Sequence, residues 1–126
     1  MILLDTHTLL WFLEDSSRLP DNIKLVIEES DRVATSLISL WEIAIKVSIG
    51  KLELRIAFDD FPNALETLAI EILPLSWADI QHYVNLPLHH RDPFDRLLIA
   101  QAINQSLVLV SADSILDRYS VQRLWV

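Results

Sequence analysis

The chain contains no cysteine and a single glycine among its 126 residues. Without cysteine it can form no disulfide and no cysteine-ligated zinc site, and it has no thiol nucleophile. Gly50 is the only glycine, which excludes the glycine-rich loops that bind phosphates in P-loop and dinucleotide-binding proteins. The absence of cysteine also fits a protein of the reducing cytosol.

Basic residues are scarce as well. Ten Lys and Arg stand against 18 Asp and Glu, so the formal net charge is -8 and the pI is near 4.7. This balance argues against nucleic-acid binding that depends only on attraction to phosphates. An acidic protein can still act on nucleic acid where bound cations reverse the local field.

Long apolar runs are missing too, and none approaches the roughly 20 residues that a membrane-spanning helix needs. The N-terminal stretch MILLDTHTLL has no basic residue before its apolar segment and contains Asp5, which is not typical of a signal peptide. We therefore expect a soluble, cytoplasmic protein without a membrane partner. With 52% hydrophobic residues, the length fits one domain over residues 1–126 with a buried core.

Short apolar segments alternate with segments of helical periodicity along the chain. Strands are predicted at MILLD, RVATS, IEILPL, LVLVS and VQRLWV. Helices are predicted at THTLLWFLED, LPDNIKLVIEES, LISLWEIAIKVSIG, FDDFPNALETLA, SWADIQHYVNL and DPFDRLLIAQAINQS, with a helical turn at ADSILDRY. Continuously apolar strands that alternate with helices are typical of a parallel sheet covered on both faces. The predicted fold is a three-layer α/β/α domain with about five parallel strands.

Four acidic residues fall near the predicted strand ends. Asp5 ends the first strand, and Asp113 follows the strand LVLVS; Glu42 lies in the first or second turn of one helix and Asp95 in the first turn of another. Ligands of open α/β sheets bind beyond the carboxyl ends of the strands, where all four would meet. Each alone has a structural explanation, such as a helix cap or, for Glu42, a capping box with Ser39. Capping does not explain four acids at one edge.

The segment LHHRDPFDRLLIAQA shows how such roles can be separated. Asp92 is predicted to be the N-cap of a helix, with Pro93 at its first position and Asp95 at its third. We therefore assign Asp92 to capping and Asp95 to the site. By the same reasoning Ser36 is the better cap of the helix LISLWEIAIKVSIG, which leaves Glu42 free.

Clustered carboxylates repel one another, and a hard divalent cation relieves that repulsion. Ligands that are all oxygen favour Mg²⁺ or Mn²⁺ over zinc, and Mg²⁺ keeps several waters, one of which can attack phosphorus. The predicted chemistry is metal-assisted hydrolysis of a phosphodiester. The predicted catalytic residues and metal ligands are the same four, Asp5, Glu42, Asp95 and Asp113.

The segments LLDTHTLLWFL, SLISLWEIAIK, HHRDPFDRLLIAQA and LVLVSAD resemble the successive motifs of PIN-domain nucleases, in particular the VapC-like ribonuclease toxins of type II toxin–antitoxin systems. The resemblance runs in order from Ile2 to the final YSVQRLWV, and the family's acidic positions fall on the four acids named above. It implies a five-stranded parallel sheet and Mg²⁺- or Mn²⁺-dependent RNA cleavage that leaves 5′-phosphate and 3′-hydroxyl ends. It also implies a homodimer and an inhibitory VapB-like antitoxin. Ser111 stands where the family usually has threonine, and His7 where many members have serine or asparagine, so His7 is given no catalytic role.

Supporting roles remain open between alternatives. Thr6 and Ser111 flank acids of the site and are predicted either to orient carboxylates or metal-bound water, or simply to form turn hydrogen bonds. His89 and His90 lack a second histidine pair at the spacing a zinc site needs, while His90 or Arg91 is a candidate for substrate contact. The candidates for phosphate contacts are Lys46, Lys51 and Arg96, of which Lys46 and Arg96 are alternatively ordinary i,i+4 ion-pair partners.

The helix LISLWEIAIKVSIG is apolar nearly all round, whereas a surface helix normally has a polar face. Together with Trp11 and Phe12 it predicts an interface with a second subunit or an antitoxin helix, unless loops cover it. The leading hypothesis is thus an endoribonuclease toxin. The alternative is a PIN-like module that binds RNA or protein without cleavage. A haloacid-dehalogenase-like site is disfavoured because DTHT lacks a second aspartate two residues after Asp5, and no receiver-like acidic pair is present.

Overall fold

Five short strands form one sheet in which every neighbouring pair is parallel. The structure is a computed structural model that describes all residues from Met1 to Val126. The strands are β1 (Ile2–Leu4), β2 (Val33–Ser36), β3 (Ile70–Leu73), β4 (Val108–Val110) and β5 (Gln122–Leu124). They lie side by side in the order β3-β2-β1-β4-β5, so the five predicted strands and their parallel arrangement are confirmed.

Six α-helices connect the strands, and each corresponds to a helix predicted from the sequence. They are α1 (Thr6–Leu13), α2 (Asp21–Glu29), α3 (Leu37–Ser48), α4 (Phe61–Thr67), α5 (Trp77–Val84) and α6 (Pro93–Gln105). Short 3₁₀ turns cover Phe58–Asp60 and Ser114–Arg118. None of these helices has both the length and the apolar character that crossing a membrane requires.

Apolar side chains are buried on both faces of the sheet. Successive residues of a strand point to opposite faces, and Leu3 and Leu4 of β1 accordingly belong to two different hydrophobic clusters. Leu4 packs in a cluster with residues of α1, α2 and α4, whereas Leu3 packs in a cluster with Leu98 and Ile99 of α6. The sheet is therefore the middle of three layers, as the continuously apolar strands predicted.

The order of the strands determines where a site can form. From the central strand β1 the chain builds β2 and β3 on one side, and β4 and β5 on the other. The connections after β1 and β4 thus leave the sheet in opposite directions, which opens a crevice at the carboxyl ends of these two strands. Asp5 and Asp113 lie just beyond those ends.

Local hydrogen bonds explain where the helices begin and end. Ser36 accepts a hydrogen bond from the Ile38 N–H and caps α3, as predicted. Asp92 accepts hydrogen bonds from the Phe94 and Asp95 N–H groups and caps α6, also as predicted. Gly50 follows the end of α3 with a φ of +71°, a conformation that side chains disfavour, and so allows the chain to turn away from the helix.

Candidate active site

Asp5 and Asp113 combine a capping role with a position at the carboxyl edge of the sheet. The Thr8 N–H donates to Asp5 Oδ1 at 2.9 Å, and the Ile115 N–H donates to Asp113 Oδ1 at 3.0 Å. Each carboxylate thus uses one oxygen for a helix or turn, and these bonds fix its orientation. The capping explanation and the site explanation are compatible, because a carboxylate has a second oxygen.

Glu42 lies in the second turn of α3 and is buried. The Thr6 hydroxyl donates to Glu42 Oε1 at 2.7 Å, and Lys46 Nζ lies 2.9 Å from Glu42 Oε2. The Ser39 hydroxyl lies 3.0 Å from that of Thr6, so Ser39 forms no capping box with Glu42. Thr6 therefore makes the contact expected of a residue that orients a carboxylate, and Lys46 forms the i,i+4 pair.

Asp95, Asp113 and His90 converge on one point. His90 Nε2 lies 2.7 Å from Asp113 Oδ2 and 3.2 Å from Asp95 Oδ2. One ligand atom from each of the three residues falls within 4.8 Å of the others, a spacing at which they can share a metal ion. Asp5 and Glu42 do not belong to this group of ligand atoms. The four predicted acids thus lie at one edge, but only two of them are this close.

The position of His90 is fixed by its loop. Its Nδ1 accepts the Asp92 N–H at 3.1 Å, which directs Nε2 toward the two carboxylates. The Tyr119 hydroxyl accepts the N–H groups of both His89 and His90, at 3.0 and 2.8 Å. His89 instead packs edge-on against the Tyr119 ring. The two histidines therefore do not form a common ligand pair.

Burial raises the pKa of Asp95 to about 7, and the negative charge of Asp92 adds to the effect. The charges of Asp5 and Glu42 raise it further, whereas His90 lowers it. Repulsion among clustered acids, noted from the sequence, also raises the pKa of a carboxyl group. Burial is the largest cause and the charge of the capping residue Asp92 the next, whereas Asp5 and Glu42 contribute least.

Ser111 is buried, and its hydroxyl accepts the Asp113 N–H at 3.1 Å. Two roles were considered for Ser111, and this contact corresponds to the second, a hydrogen bond within a turn. The contact also restrains the backbone of Asp113 directly after β4.

Arg96 does not suit the phosphate contact predicted for it. The side chain is buried, its guanidinium donates to the Pro87 carbonyl at 3.0 Å, and it lies 4.8 Å from the centre of the Tyr83 ring. It forms no ion pair with Asp92, which uses its carboxylate to cap α6. Arg96 therefore holds α5 and the following loop to α6. Lys51, by contrast, is exposed.

The apolar character of α3 is only partly absorbed by the core. Ile38 and Ile43 are buried, but Trp41 is 59% exposed and Leu37 50% exposed. Two adjoining apolar hollows of about 360 and 430 Å³ share Ile38 and Trp41. We call this area the Trp41 surface, and it is lined by Leu37, Ile38, Leu40, Trp41, Ala44, Phe58, Leu75, Ile80, Tyr83, Pro93, Phe94 and Leu97. Trp11 and Phe12, grouped with α3 at the sequence level, instead pack against the core.

A parallel sheet with acidic residues beyond its central strands defines an α/β protein whose site lies at the carboxyl edge. The model of the PIN domain family matches residues 2–122, and the chain belongs to this family of nucleases. The resemblance of the sequence motifs to PIN-domain nucleases is thereby confirmed.

Solved structures share this fold. A chain of VapBC2 from Rickettsia felis, solved with a DNA fragment from the promoter, superposes with a TM-score of 0.70 at 21% identity over 98% of each chain. VapBC-1 from nontypeable Haemophilus influenzae matches with a TM-score of 0.69 at 20% identity, covering 98% of this chain and 97% of that one. FitAcB from Neisseria gonorrhoeae gives 0.69 at 18% identity, covering 98% and 96%. No curated protein sequence matched significantly.

Proposed function

We propose that the protein is a metal-dependent endoribonuclease and the toxin of a toxin–antitoxin pair, with residues 1–126 forming one PIN domain. The observation that carries the proposal is the convergence of Asp95 and Asp113 at the crevice beside β1, with Asp5 and Glu42 at the same edge. Membership of a nuclease family supports hydrolysis of a phosphodiester as the reaction.

The donor set fits Mg²⁺ or Mn²⁺. Carboxylate oxygens are the ligands that these ions prefer, and all four proposed ligands are carboxylates. The raised pKa of Asp95 is what a carboxylate shows when burial and neighbouring acids are not offset by a cation. When bound, the ion would supply a Lewis acid and an activated water for attack on phosphorus.

The remaining residues keep these carboxylates in place. Thr6 and Lys46 each donate a hydrogen bond to one oxygen of Glu42, and these two bonds direct the carboxylate. His90 donates its Nε2 proton toward Asp113 and Asp95, so it holds the two carboxylates together. We assign catalysis and metal binding to Asp5, Glu42, Asp95 and Asp113, and positioning to Thr6, Ser111 and His90.

The toxin role rests on the relatives of the fold. VapBC and FitAB are toxin–antitoxin complexes that contain a chain of this fold, and a VapB-like antitoxin is the partner proposed for this chain. We further propose a homodimer, because the Trp41 surface leaves large apolar side chains exposed. Such a toxin would meet its RNA and its antitoxin in the cytoplasm.

The test is cleavage of end-labelled single-stranded and structured RNA by the purified protein, with Mg²⁺ or Mn²⁺ and with excess EDTA. We expect cleavage with either ion, none in EDTA, and recovery when the ion is restored. Asp95→Asn, purified in parallel, should be inactive and controls for contaminating ribonuclease. Undiminished cleavage in EDTA would contradict metal dependence. RNA that is bound but never cut, under all these conditions, would favour the alternative of a binding module.

A further inference from the structure

A cleft of about 640 Å³ lies beside the candidate active site, between α1, the C-terminal half of α3 and the segment 51–55. Four cations line it, Arg18, Lys46, Lys51 and Arg55, together with the two acids Glu14 and Glu53. We call it the basic cleft. Four of the ten Lys and Arg residues of a chain with net charge -8 therefore lie on one concave surface.

Most cations of this cleft are not neutralised by the protein. Arg18 and Lys51 form no ion pair, and Arg55 contacts only the Glu14 carbonyl, at 3.5 Å. Outside the cleft, Lys24, Arg32 and Arg123 each pair with a carboxylate, whereas Arg91, Arg96 and Arg118 do not. The four cations outnumber the two acids of the lining, and a concave surface with an excess of one charge concentrates ligands of the opposite sign. The basic cleft thus reverses, locally, the acidic character of the chain.

An aromatic pair stands on the same wall. His7 and Trp11, one turn apart on α1, stack with ring centroids 5.9 Å apart and an interplanar angle of 30°. His7 is exposed, so its outer face is open to a ligand. Cations that follow a phosphate backbone, combined with an aromatic face for a base, are the usual elements of single-strand binding.

The cleft is continuous with the acids of the site. Thr6 and Lys46 line it, and the same two residues hold the oxygens of Glu42. His7 lies two residues after Asp5 at the start of α1. A polynucleotide with a phosphate at the acids would therefore run directly into the cleft.

We propose that the basic cleft binds the single-stranded RNA segment adjoining the cleaved phosphodiester. Arg18, Lys51 and Arg55 contact its phosphates, and His7, supported by Trp11, stacks on one unpaired base. The strand is single because a base in a duplex has no free face for stacking. This assignment rests on the proposed function and specifies its substrate. An acidic peptide is the competing ligand. It would explain neither the stacked pair of His7 and Trp11 nor the position of the cleft next to the acids of the site.

The test measures RNA binding apart from cleavage, in Asp95→Asn protein. Binding of a fluorescent single-stranded RNA is measured by fluorescence anisotropy at several salt concentrations. The Asp95→Asn protein is compared with the cleft variant, which carries Arg18→Gln, Lys51→Gln and Arg55→Gln in addition. We expect weaker binding and a salt dependence whose log–log slope falls by about 2, since each lost phosphate contact removes about 0.7. The three side chains are exposed, so the variant should fold, and the single substitutions should each give part of the loss.

The matched control combines Lys24→Gln, Arg32→Gln and Arg118→Gln, which remove the same charge outside the cleft. It should leave the slope nearly unchanged. His7→Ala should weaken binding of the RNA about fivefold or more, the worth of one stacked base, yet leave binding of an abasic oligonucleotide of equal length unchanged. Equal losses of RNA affinity in the cleft variant and the control would overturn the proposal. A cleft variant that still binds RNA but no longer binds a glutamate-rich peptide would overturn it too.

Kinetics in the otherwise wild-type protein keep this proposal separate from the proposed function. If the protein cleaves RNA, the cleft variant should show a raised KM with kcat little changed, because its residues bind ground state and transition state alike. Cleavage with an unchanged KM would refute the cleft while the nuclease stands. If the wild-type protein never cleaves RNA but binds it, and the cleft variant loses that binding, the proposed nuclease activity is wrong and the proposed RNA-binding cleft is supported.

Discussion

Asp95 carries a carboxyl group whose pKa is raised to about 7 by burial and by the charge of Asp92. A metal ion binds the ionised carboxylate, so near neutral pH it must displace a proton from a substantial fraction of the molecules. If Asp95 is a metal ligand, as proposed, its protonation makes loading of the site depend on pH. His90, which contacts the same carboxylate, opposes the shift.

We expect the affinity for Mn²⁺ to be about tenfold higher at pH 8 than at pH 6, because the ionised fraction of Asp95 rises by about that factor. Calorimetric titrations in buffers of different ionisation enthalpy should show protons released on binding at pH 6 and few at pH 8. In Asp92→Asn, which keeps a capping oxygen but removes one cause of the shift, the dependence should move to lower pH. An affinity that is constant from pH 6 to 8 would show that Asp95 is not a ligand.

The raised pKa also has a consequence for folding. A carboxyl whose pKa is higher in the folded protein stabilises the fold below its unfolded value of 3.8, and that stabilisation is lost as pH rises through 7. The metal-free protein therefore holds Asp95 at a cost in stability at pH 8. The proposed metal binding by Asp95 would explain why such a cost is retained.

At the N-terminus of α6 two aspartates of one helical turn carry different tasks. Asp92 accepts both the Phe94 and the Asp95 N–H groups, whereas the Asp95 side chain accepts no backbone hydrogen bond and faces His90. Pro93 occupies the first helical position, where its missing N–H leaves no acceptor unsatisfied. The element is built so that the cap and the candidate ligand can be changed separately.

Asp92→Ala should lower the free energy of unfolding by about 1 kcal/mol, the usual worth of an N-cap, while cleavage remains measurable. Asp95→Asn should abolish cleavage and, at pH 8 without metal, leave stability unchanged or raised. Urea unfolding curves and cleavage assays on both variants check this. The opposite pattern, with Asp92→Ala inactive and Asp95→Asn destabilised, would mean that the two roles are exchanged.

The helices and strands were predictable because their signals are local. Strand periodicity, the capping residues Ser36, Ser76 and Asp92, and Gly50 after α3 all act within a few residues of the chain. The position of the four acids near one edge of the sheet was also predictable, because the parallel topology brings the carboxyl ends of the strands together. For Asp5 and Asp113, the order of the strands alone was enough to predict that they lie near each other.

The features that sequence reasoning missed depend on contacts between distant segments. His90 reaches Asp113 because the hydroxyl of Tyr119, about 30 residues away, anchors its loop. Arg96 was a candidate for phosphate contact because its burial under Tyr83 could not be foreseen. That burial depends on how α5 packs against α6. No periodicity or motif carries this information, which appears only once the packing is known.

The whole molecule presents an acidic crevice, a basic cleft and an apolar surface. The Trp41 surface joins α3 to α5 and the start of α6, whereas the basic cleft lies along α1. A partner on the Trp41 surface would thus leave the basic cleft open to RNA. The two surfaces share no lining residue, so a second copy of the chain can cover the apolar side chains without entering the basic cleft.

If the Trp41 surface forms the dimer interface, Trp41→Glu should convert the dimer to a monomer in sedimentation velocity, because burying a charge there costs several kcal/mol. Leu25→Glu, at a half-exposed position on α2, is the matched control and should leave the dimer intact. Melting curves confirm that both variants fold. A wild-type chain that sediments as a monomer at micromolar concentrations would contradict the dimer itself.

Metal binding should stabilise the whole molecule, because the acids meet only in the folded chain. An ion that binds the folded state alone raises the free energy of unfolding by RT ln(1 + [M]/Kd), about 2.7 kcal/mol when its concentration exceeds Kd a hundredfold. Screening by salt acts on all exposed charges and would give a smaller rise that does not depend on the site. Melting curves with Mg²⁺ and with NaCl of equal ionic strength separate the two effects.

Asp95→Asn distinguishes site binding from general screening most sharply. At pH 8 it should melt at or above the temperature of the metal-free wild type, because the buried charge is gone, yet gain little from Mg²⁺. Asp92→Asn, which removes an acid of equal charge from the same turn but keeps the cap, should retain the response to Mg²⁺. If the wild type responds no more to Mg²⁺ than to NaCl at concentrations that support cleavage, the acids do not form one cation site. The opposite result would tie stability, metal affinity and cleavage to the same carboxylates, since one substitution would then change all three together.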